Sequence, residues 1–468
     1  MMAMDRRAFL RSAAVGLVGA PAALRAAGGN AKPARKPNFV FILIDDLGWA
    51  DLGCYGSTYH RSPVIDRLAA EGMRFTDAYA ACPVCSPTRA SLLSGKYPAT
   101  VGVTDFIPGH YRPYAKLTVP KIHNQLPLAE TTIPEALKAA GYVSGCFGKW
   151  HLGWGATYAP KAQGFDVAEG GSNKKRDKSV ESLTDRAIHF LRNNKGRPFF
   201  LYLSHHSVHI PLEAPKELVE AAKKRLQPGQ KHPRQANPTY AAMIEYLDRH
   251  VGRVLETLDE LKLADNTVVI FYSDNGGLIR IYTGKGQIVT SNLPARSEKG
   301  TLYEGGIRVP LIVRWPGVTK PGSVSREVVT TPDFFPTILQ AAGLDPAGHA
   351  GLDGVSLLPA LRGNPLKRDA VYWHYPHYHH CAPCGAVRKG NYKLIEYFED
   401  GRLELYDLPA DLGETTDLAA RLPAKAAELQ KDLAAWRKRV GARMPTPNPN
   451  HNPARAGEWG RRPRPKRG

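Results

Sequence analysis

The sequence predicts an α/β protein: a mostly parallel sheet flanked by helices, followed by a smaller C-terminal subdomain built on an antiparallel sheet. Three observations lead there. Short continuous apolar runs recur between residues 38 and 317, as strands buried on both faces require. Helix-period segments lie between them, and such alternation implies parallel strands joined by helical crossovers. From Asp369 onward the pattern changes to short strand-like runs around a tight turn, then one amphipathic helix.

The first strand is "NFVFILIDD" (38–46), an apolar run whose carboxyl end opens onto two aspartates. "YVSGCFGKWH" from Tyr142, "PFFLYLSHH" from Pro198, "TVVIFYSDN" from Thr267 and "VPLIVRWPG" from Val309 repeat the design. The clearest helix is "YAAMIEYLDRHVGRVLETLDEL", where Met243, Leu247, Val251, Val254, Leu258 and Leu261 share one face. In the last part "YKLIEY" and "RLELYDL" flank "FEDGR", a hairpin turning at Asp400 and Gly401, before the helix "AKAAELQKDLAAWRKRV". The expected domains are therefore a catalytic domain over 36–368 and an antiparallel subdomain over 369–443.

The two ends read differently. "MDRRAFLRSAAVGLVGAPAALRAA" pairs Arg6 and Arg7 ahead of a short apolar run and small residues, the pattern of a twin-arginine export signal over 1–27. The expected location is periplasmic or secreted, through the twin-arginine export machinery. The apolar run is too short for a membrane span, and no integral membrane segment is expected in the mature chain. Of the formal charge of +20, residues 1–27 carry +3 and the stretch from His451 carries +5, which leaves a body of +12. Such a field attracts polyanions without saying which. The Pro-rich, basic stretch 444–468 reads as a disordered tail.

In open α/β sheets, ligands sit beyond the carboxyl ends of the strands. The polar residues there are Asp45 and Asp46, Lys149 and His151, His205, His206 and His209, and Asp274 with Asn275. Singly, each has a plain explanation as a cap, a turn or a solvated loop; their coincidence at strand ends does not. An all-oxygen, anionic set suits a hard cation, calcium or magnesium, better than zinc or copper. Two C-x-x-C pairs, at 82/85 and 381/384, lie about 300 residues apart, which does not fit zinc-ribbon spacing. Cys381 and Cys384 are candidates for a disulfide in an exported chain, and Cys82 for one that would compete with Cys85.

"ACPVCSPTRASLLSG" (81–95) reads forward from its second cysteine. Pro87 suits the first position of a helix that Ser94 and Gly95 end, which leaves Cys85 or Ser86 near the N-cap. Free amides at the helix start and Arg89 one turn in make this a place for an anion, the setting of a reactive thiolate rather than of a structural cysteine.

These residues carry a resemblance. "CSPTRASLLSG" is similar to the sulfatase signature, a Cys or Ser, any residue, Pro, any residue, Arg, and a Gly ending the short helix. "GKWHLG", "HSVHIP", "SDNGG" and "KGTLYEGGIRVPLIVRWPG" resemble the family's other blocks, in family order, over nearly all of the mature chain. The resemblance is nearest to arylsulfatase A and N-acetylgalactosamine-sulfatase-like bacterial enzymes. It implies an alkaline-phosphatase-like fold and sulfate-ester hydrolysis, with Cys85 oxidised by a formylglycine-generating maturation enzyme. It further implies that Asp45, Asp46, Asp274 and Asn275 hold a calcium ion, with magnesium as the other choice, together with an oxygen of the hydrated aldehyde at position 85. Arg89, Lys149 and His151 would surround that residue, and His209 and Lys299 would face the sulfate ester and its leaving oxygen.

The chemistry agrees with this layout. A sulfate ester needs positive charge on its non-bridging oxygens, a nucleophile in line and a proton donor at the leaving oxygen. Arg89, Lys149, Lys299 and the cation supply the first, a hydrate oxygen the second, and His209, with Lys299, the third. His151 is the natural base, taking a proton from the second hydroxyl so that sulfate is expelled; an ordinary serine or cysteine ester lacks that hydroxyl. The export signal, the basic body and the loop "HYPHYHHCAPCGAVRKGNYK" point to a sulfated carbohydrate, a glycosaminoglycan or algal polysaccharide; His374 and His377 either line the sugar pocket or belong to a surface loop or adventitious metal binder, and no nucleic-acid partner is expected. Two alternatives stand beside this: a phosphonate monoester or phosphodiester hydrolase of the same superfamily, and a non-catalytic polyanion-binding protein.

Overall fold

The computed structural model describes residues 35–172, 177–226, 235–282 and 286–460. The export signal expected over 1–27 lies outside the described residues. Its central strand, Asn38–Ile44, is buried along its whole length and lies between Phe199–Ser204 and Thr267–Ser273, parallel to both. The pleat divides its side chains cleanly: Phe39, Phe41 and Leu43 enter one core, and Val40, Ile42 and Ile44 the other. Both faces of the sheet are therefore covered, which is why the strand reads as an unbroken apolar run.

Around this strand an eight-stranded sheet forms, in the order Ser323–Ser325, Met73–Phe75, Leu311–Arg314, Thr267–Ser273, Asn38–Ile44, Phe199–Ser204, Val143–Gly148 and Val167–Glu169. Leu311–Arg314 runs antiparallel to both of its neighbours, while the remaining pairings are parallel. The long helix Pro238–Glu260 covers one face. Asn237 caps it by accepting from the amides of Thr239 and Tyr240, Pro238 opens it, and Met243, Leu247, Val251, Val254 and Leu258 are buried against the sheet.

A separate four-stranded antiparallel sheet follows: Ala370–Tyr375, Cys384–Lys389, Tyr392–Tyr397 and Leu403–Asp407, in sequence order. The helix Pro423–Arg439 packs Leu429, Leu433 and Trp436 on one face. The other face meets the larger sheet's surroundings: Trp373 packs by Tyr79, and its Nε1 donates to the Ala80 carbonyl at 2.8 Å.

The stretch after residue 443 differs from the expected disordered tail. Thr446–Pro447 pairs with Leu117–Thr118, the Asn448 amide donates to the Lys116 carbonyl, and the Asn448 side chain donates to the carbonyls of Pro113 and Ala115. Further on, the amides of Asn452 and Gly460 donate to Tyr114 and Tyr111. Its physical reason is a partner segment, residues 111–118 ending in the short strand Leu117–Thr118, whose free backbone groups this polar segment satisfies. Residues 461–468 lie outside the described residues.

Candidate active site

Four neighbouring parallel strands end on the same edge of the large sheet. Their register continues one residue past each strand: Asp274 N donates to Ile44 O, His205 N to Leu43 O, and Lys149 N to Ser204 O. Asp274, Asp45 and Lys149 are thereby fixed along one rim, spanning about 14 Å at the usual interstrand spacing.

The helix Cys85–Ser94 points into this rim. Val84, extended, precedes it, and Gly95 at φ 71° ends it in the left-handed region, where its amide returns to the Ser91 carbonyl. A side chain there would also meet Phe335, its Cβ falling 2.7 Å from that ring's Cβ. The helix starts two residues earlier than Pro87 suggested, which puts Cys85 at the first helical position. Pro87 still sits in the first turn, where its missing N–H is not needed.

Cys85 is buried, its Sγ 3.5 Å from Asp45 Oδ1 and 3.7 Å from Lys299 Nζ. Burial pushes its thiol up to about 12 despite the two lysines nearby. At neutral pH it is a neutral thiol, so the thiolate that a helix start and an arginine suggested is not what this environment favours. Arg89 is turned to Asp274 instead, with Nε and Nη2 at 3.0 and 2.6 Å from Oδ2, while Nη1 donates to the Lys149 carbonyl and Ser204 Oγ. Ser204 is a participant that sequence reading missed, although it ends the strand run next to His205.

Lys149 Nζ donates to Asp45 Oδ2 at 2.6 Å and Lys299 Nζ to Asp46 Oδ2 at 2.8 Å. Burial would raise Asp45, but Lys149 and its other cationic neighbours hold it well below the usual carboxylate range. His151 donates from Nε2 to the Ile107 carbonyl at 2.8 Å, so its lone pair lies on Nδ1, which is buried without a partner. Burial, then Lys149, keeps His151 well below its ordinary value. His209 donates from Nδ1 to the Ile210 carbonyl at 2.6 Å, and its Nε2 lies 3.7 Å from Asp46. His206 turns to Gly170, and His205 is buried with neither ring nitrogen partnered; neither joins the cluster.

Asp45, Asp46, Cys85 and His209 each offer a ligand atom, all within 4.8 Å of one another. Asn275 donates from Nδ2 to Asp46 Oδ1, and its own Oδ1 is buried with no partner. Carboxylates converging beside an orphaned amide oxygen fit a hard divalent cation. Asp274 is adjacent, with Oδ1 accepting from the Asp46 amide and Oδ2 engaged by Arg89.

Residues 37–344 match the family described as Sulfatase. The chain belongs to the sulfatase family. It is a sulfuric ester hydrolase, and residues 297–439 also match the C-terminal region described for N-sulphoglucosamine sulphohydrolase. This sulfatase is 33% identical to a "Sulfatase" of Formosa agariphila, over 93% of this chain and 94% of that one. It is 34% identical to the N-acetylgalactosamine-6-sulfatase of Homo sapiens, over 72% and 68%. Among solved structures it is similar to Ps i-CgsB in complex with k-i-k-neocarrahexaose, with a TM-score of 0.73 and 27% identity, over 86% of this chain and 93% of that one.

A cavity of about 610 Å³ has His110, Arg112, Tyr282, His379, His380 and Trp459 in its wall and no residue of this sulfatase's cluster. His380 reaches from it to the Lys299 carbonyl at 2.8 Å, and Gly109 in its wall lies two residues from the Ile107 carbonyl that holds His151. Neither of the two histidines expected in a sugar pocket lines this cavity. His374 is buried with Nε2 facing the Arg443 carbonyl at 3.0 Å, and His377 is buried against Thr104 Oγ1 at 2.8 Å. Alternation along the strand and its exit turns both inward; His379 and His380, two and three residues further on, line the cavity instead. Cys82 is free and directed at the Thr104 carbonyl, and the Cys381 and Cys384 sulfurs stand 3.9 Å apart, unbonded.

Proposed function

We propose that this sulfatase removes sulfate from a sulfated carbohydrate, a glycosaminoglycan or algal polysaccharide, using Cys85 after its oxidation to formylglycine and a calcium ion at Asp45, Asp46, Asp274 and Asn275. One observation carries the reading: Cys85 is a neutral, buried thiol at the meeting point of Asp45, Asp46, Lys299 and His209. A thiol in that state is a poor nucleophile, and its position is explained if it is the precursor of one. The modified residue supplies an oxygen nucleophile with a second hydroxyl, and the cation supplies fixed positive charge and Lewis acidity.

The chain's own residues do the rest. Arg89 is locked by Asp274, Ser204 and the Lys149 carbonyl, so it holds the rim rigid beside position 85. Lys149 and Lys299 place two ammonium groups where a tetrahedral anion would arrive, which stabilises charge without reorganisation. His151, with its free Nδ1 lone pair, is the base that takes a proton from the second hydroxyl and so expels sulfate. Burial and Lys299 hold His209 down to about 4, and an arriving anion works in the opposite direction, raising its proton affinity so that it can protonate the leaving oxygen. Export by the twin-arginine machinery and contact with a maturation enzyme follow from Arg6, Arg7 and the motif at Cys85. Among the described residues no helix is long and apolar enough to cross a membrane.

Turnover of aryl sulfate against aryl phosphonate esters, together with sulfate release from chondroitin sulfate and carrageenan oligosaccharides, tests the proposal. Preference for sulfate esters with release from at least one saccharide is expected. Preferential phosphonate cleavage would establish the phosphonate hydrolase instead, and salt-sensitive saccharide binding without any ester cleavage would establish a polyanion-binding protein.

A further inference from the structure

The segment from residue 444 to residue 460 does more than cover a strand edge. Its pairing with residues 111–118 carries Trp459 to the cavity whose wall residue His380 contacts the Lys299 carbonyl, and Trp459 forms part of that wall. The Arg112 guanidinium lies 3.9 Å from the Trp459 ring and 5.5 Å from that of Tyr378, between two aromatic groups. Its Nε is buried without a hydrogen-bond partner and its Nη2 has only a long contact of 3.4 Å to the His379 carbonyl; the nearby carboxylate, Glu399, accepts from Tyr378 and acts on Arg112 electrostatically without an ion pair among the described residues. The His110 ring lies 4.8 Å from Trp459 and 4.3 Å from His379, whose Nδ1 is likewise buried and unpartnered. Tyr282, on the cavity's rim, and Trp459 are 62% and 49% exposed, so both rings reach solvent at the same cavity.

An exposed indole face suits the apolar face of a sugar ring, and a stacked guanidinium with unused donors suits a sulfate or carboxylate. We propose that Trp459 and Arg112 form a saccharide subsite for an anionic sugar unit, sulfated or uronic, other than the sulfate undergoing cleavage. The returning C-terminal segment thus selects charged oligosaccharides over small sulfate esters. The inference deepens the sulfatase reading and rests on it for the identity of the adjoining site; no atom of the subsite is needed for ester cleavage itself.

Calorimetric binding to the full-length protein tests it without requiring turnover. The ligands are a chondroitin 6-sulfate hexasaccharide, an ι-carrageenan hexasaccharide and the desulfated form of each. Wild type should bind a sulfated hexasaccharide at least about tenfold more tightly than its desulfated form, and Trp459→Ala should weaken that binding about tenfold, the scale of one stacked aromatic contact. Trp459→Phe, which keeps a ring, should recover most of it. Arg112→Gln should weaken binding by a similar factor and flatten its dependence on salt, a change that mere loosening of the segment would not produce. Kinetics add a second reading: the ratio of kcat/KM for the hexasaccharide to that for 4-nitrophenyl sulfate should fall in both variants. Equal binding by wild type, Trp459→Ala and Arg112→Gln, or an unchanged ratio, would overturn the subsite while leaving the sulfatase reading intact. Failure of wild type to hydrolyse any sulfate ester would count against the sulfatase reading alone, because the binding comparison still stands.

Discussion

Two buried charge clusters sit close together in the chain and differ in what they lack. The first gathers Asp45, Asp46 and Asp274 against Arg89, Lys149 and Lys299 at the sheet rim. The second gathers Asp77, Glu304 and Glu414 against Arg308, Arg388 and Lys393, between the large sheet and the small one. Both balance three acids with three bases, and one sequence block feeds both, since Lys299 and Glu304 lie five residues apart. In the second, Lys393 lies 2.9 Å from Glu304 and 2.8 Å from Glu414 with all three side chains fully buried, and Tyr79 donates to Glu304 at 2.8 Å; Glu414 Oε1 is paired in charge but makes no hydrogen bond. Beside the first, Asn275 Oδ1 and His151 Nδ1 are unpartnered, and its Lys299 meets the cavity wall through the backbone carbonyl that His380 contacts. Charge balance therefore does not distinguish a brace from a site, and neither does one unpartnered carboxylate oxygen; neutral acceptors left without a partner at the ends of the strands do.

The largest expected effect on stability breaks the brace. Lys393→Met leaves Glu304 and Glu414 buried without their shared cation and should cost about 3–5 kcal/mol of stability. Denaturant titration reads the loss, and sulfate-ester turnover per folded molecule should be retained. Lys149→Met makes the opposite cut. Losing a preorganised cation at the reacting group should lower kcat roughly 10²–10³-fold, with a stability change well below that of Lys393→Met when calcium is present. Similar stability losses in the two variants would erase the distinction between the clusters.

The smallest effect sharpens the brace through pH. Burial pushes Glu414 up to about 7, whereas at Glu304 Lys393, Arg308 and Arg388 outweigh burial and hold the carboxyl well below its usual range. A carboxyl raised on folding binds its proton more tightly in the folded state. Its contribution is fully present below the unfolded value, near 4.5, and is lost as pH rises through about 7. Glu414→Gln, neutral throughout, should gain on wild type between those limits, by about 1–3 kcal/mol at pH 8. Denaturation midpoints measured from pH 4 to 8 check the sign, and a variant that instead loses ground as pH rises would show Glu414 to be ionised throughout.

Much of this was legible in the chain. The apolar runs gave away the strands because both faces of the sheet are covered, and Asp45, Asp46, Lys149, His151, His209, Asp274 and Asn275 do meet at the strand ends. Direction was not legible: "LIVR" is apolar whichever way it runs, and only pairing shows that Leu311–Arg314 is reversed. The histidine run marked the cavity wall, but which members face it depends on strand alternation and on where the strand ends, so His379 and His380 were passed over for His374 and His377. The C-terminal segment misled because composition describes a segment's affinity for water and says nothing of the backbone groups of residues 111–118 that it meets. The helix start was displaced because Pro87 is tolerated anywhere in a first turn.

The central claim is that Cys85 is a precursor placed beside a cation site, and mass spectrometry of the tryptic peptide from Phe75 to Arg89 tests it most directly. In protein produced together with a formylglycine-generating enzyme, the account predicts an aldehyde in place of the thiol and sulfate-ester turnover proportional to the aldehyde fraction. An unmodified thiol in protein that cleaves sulfate esters at full rate would contradict it.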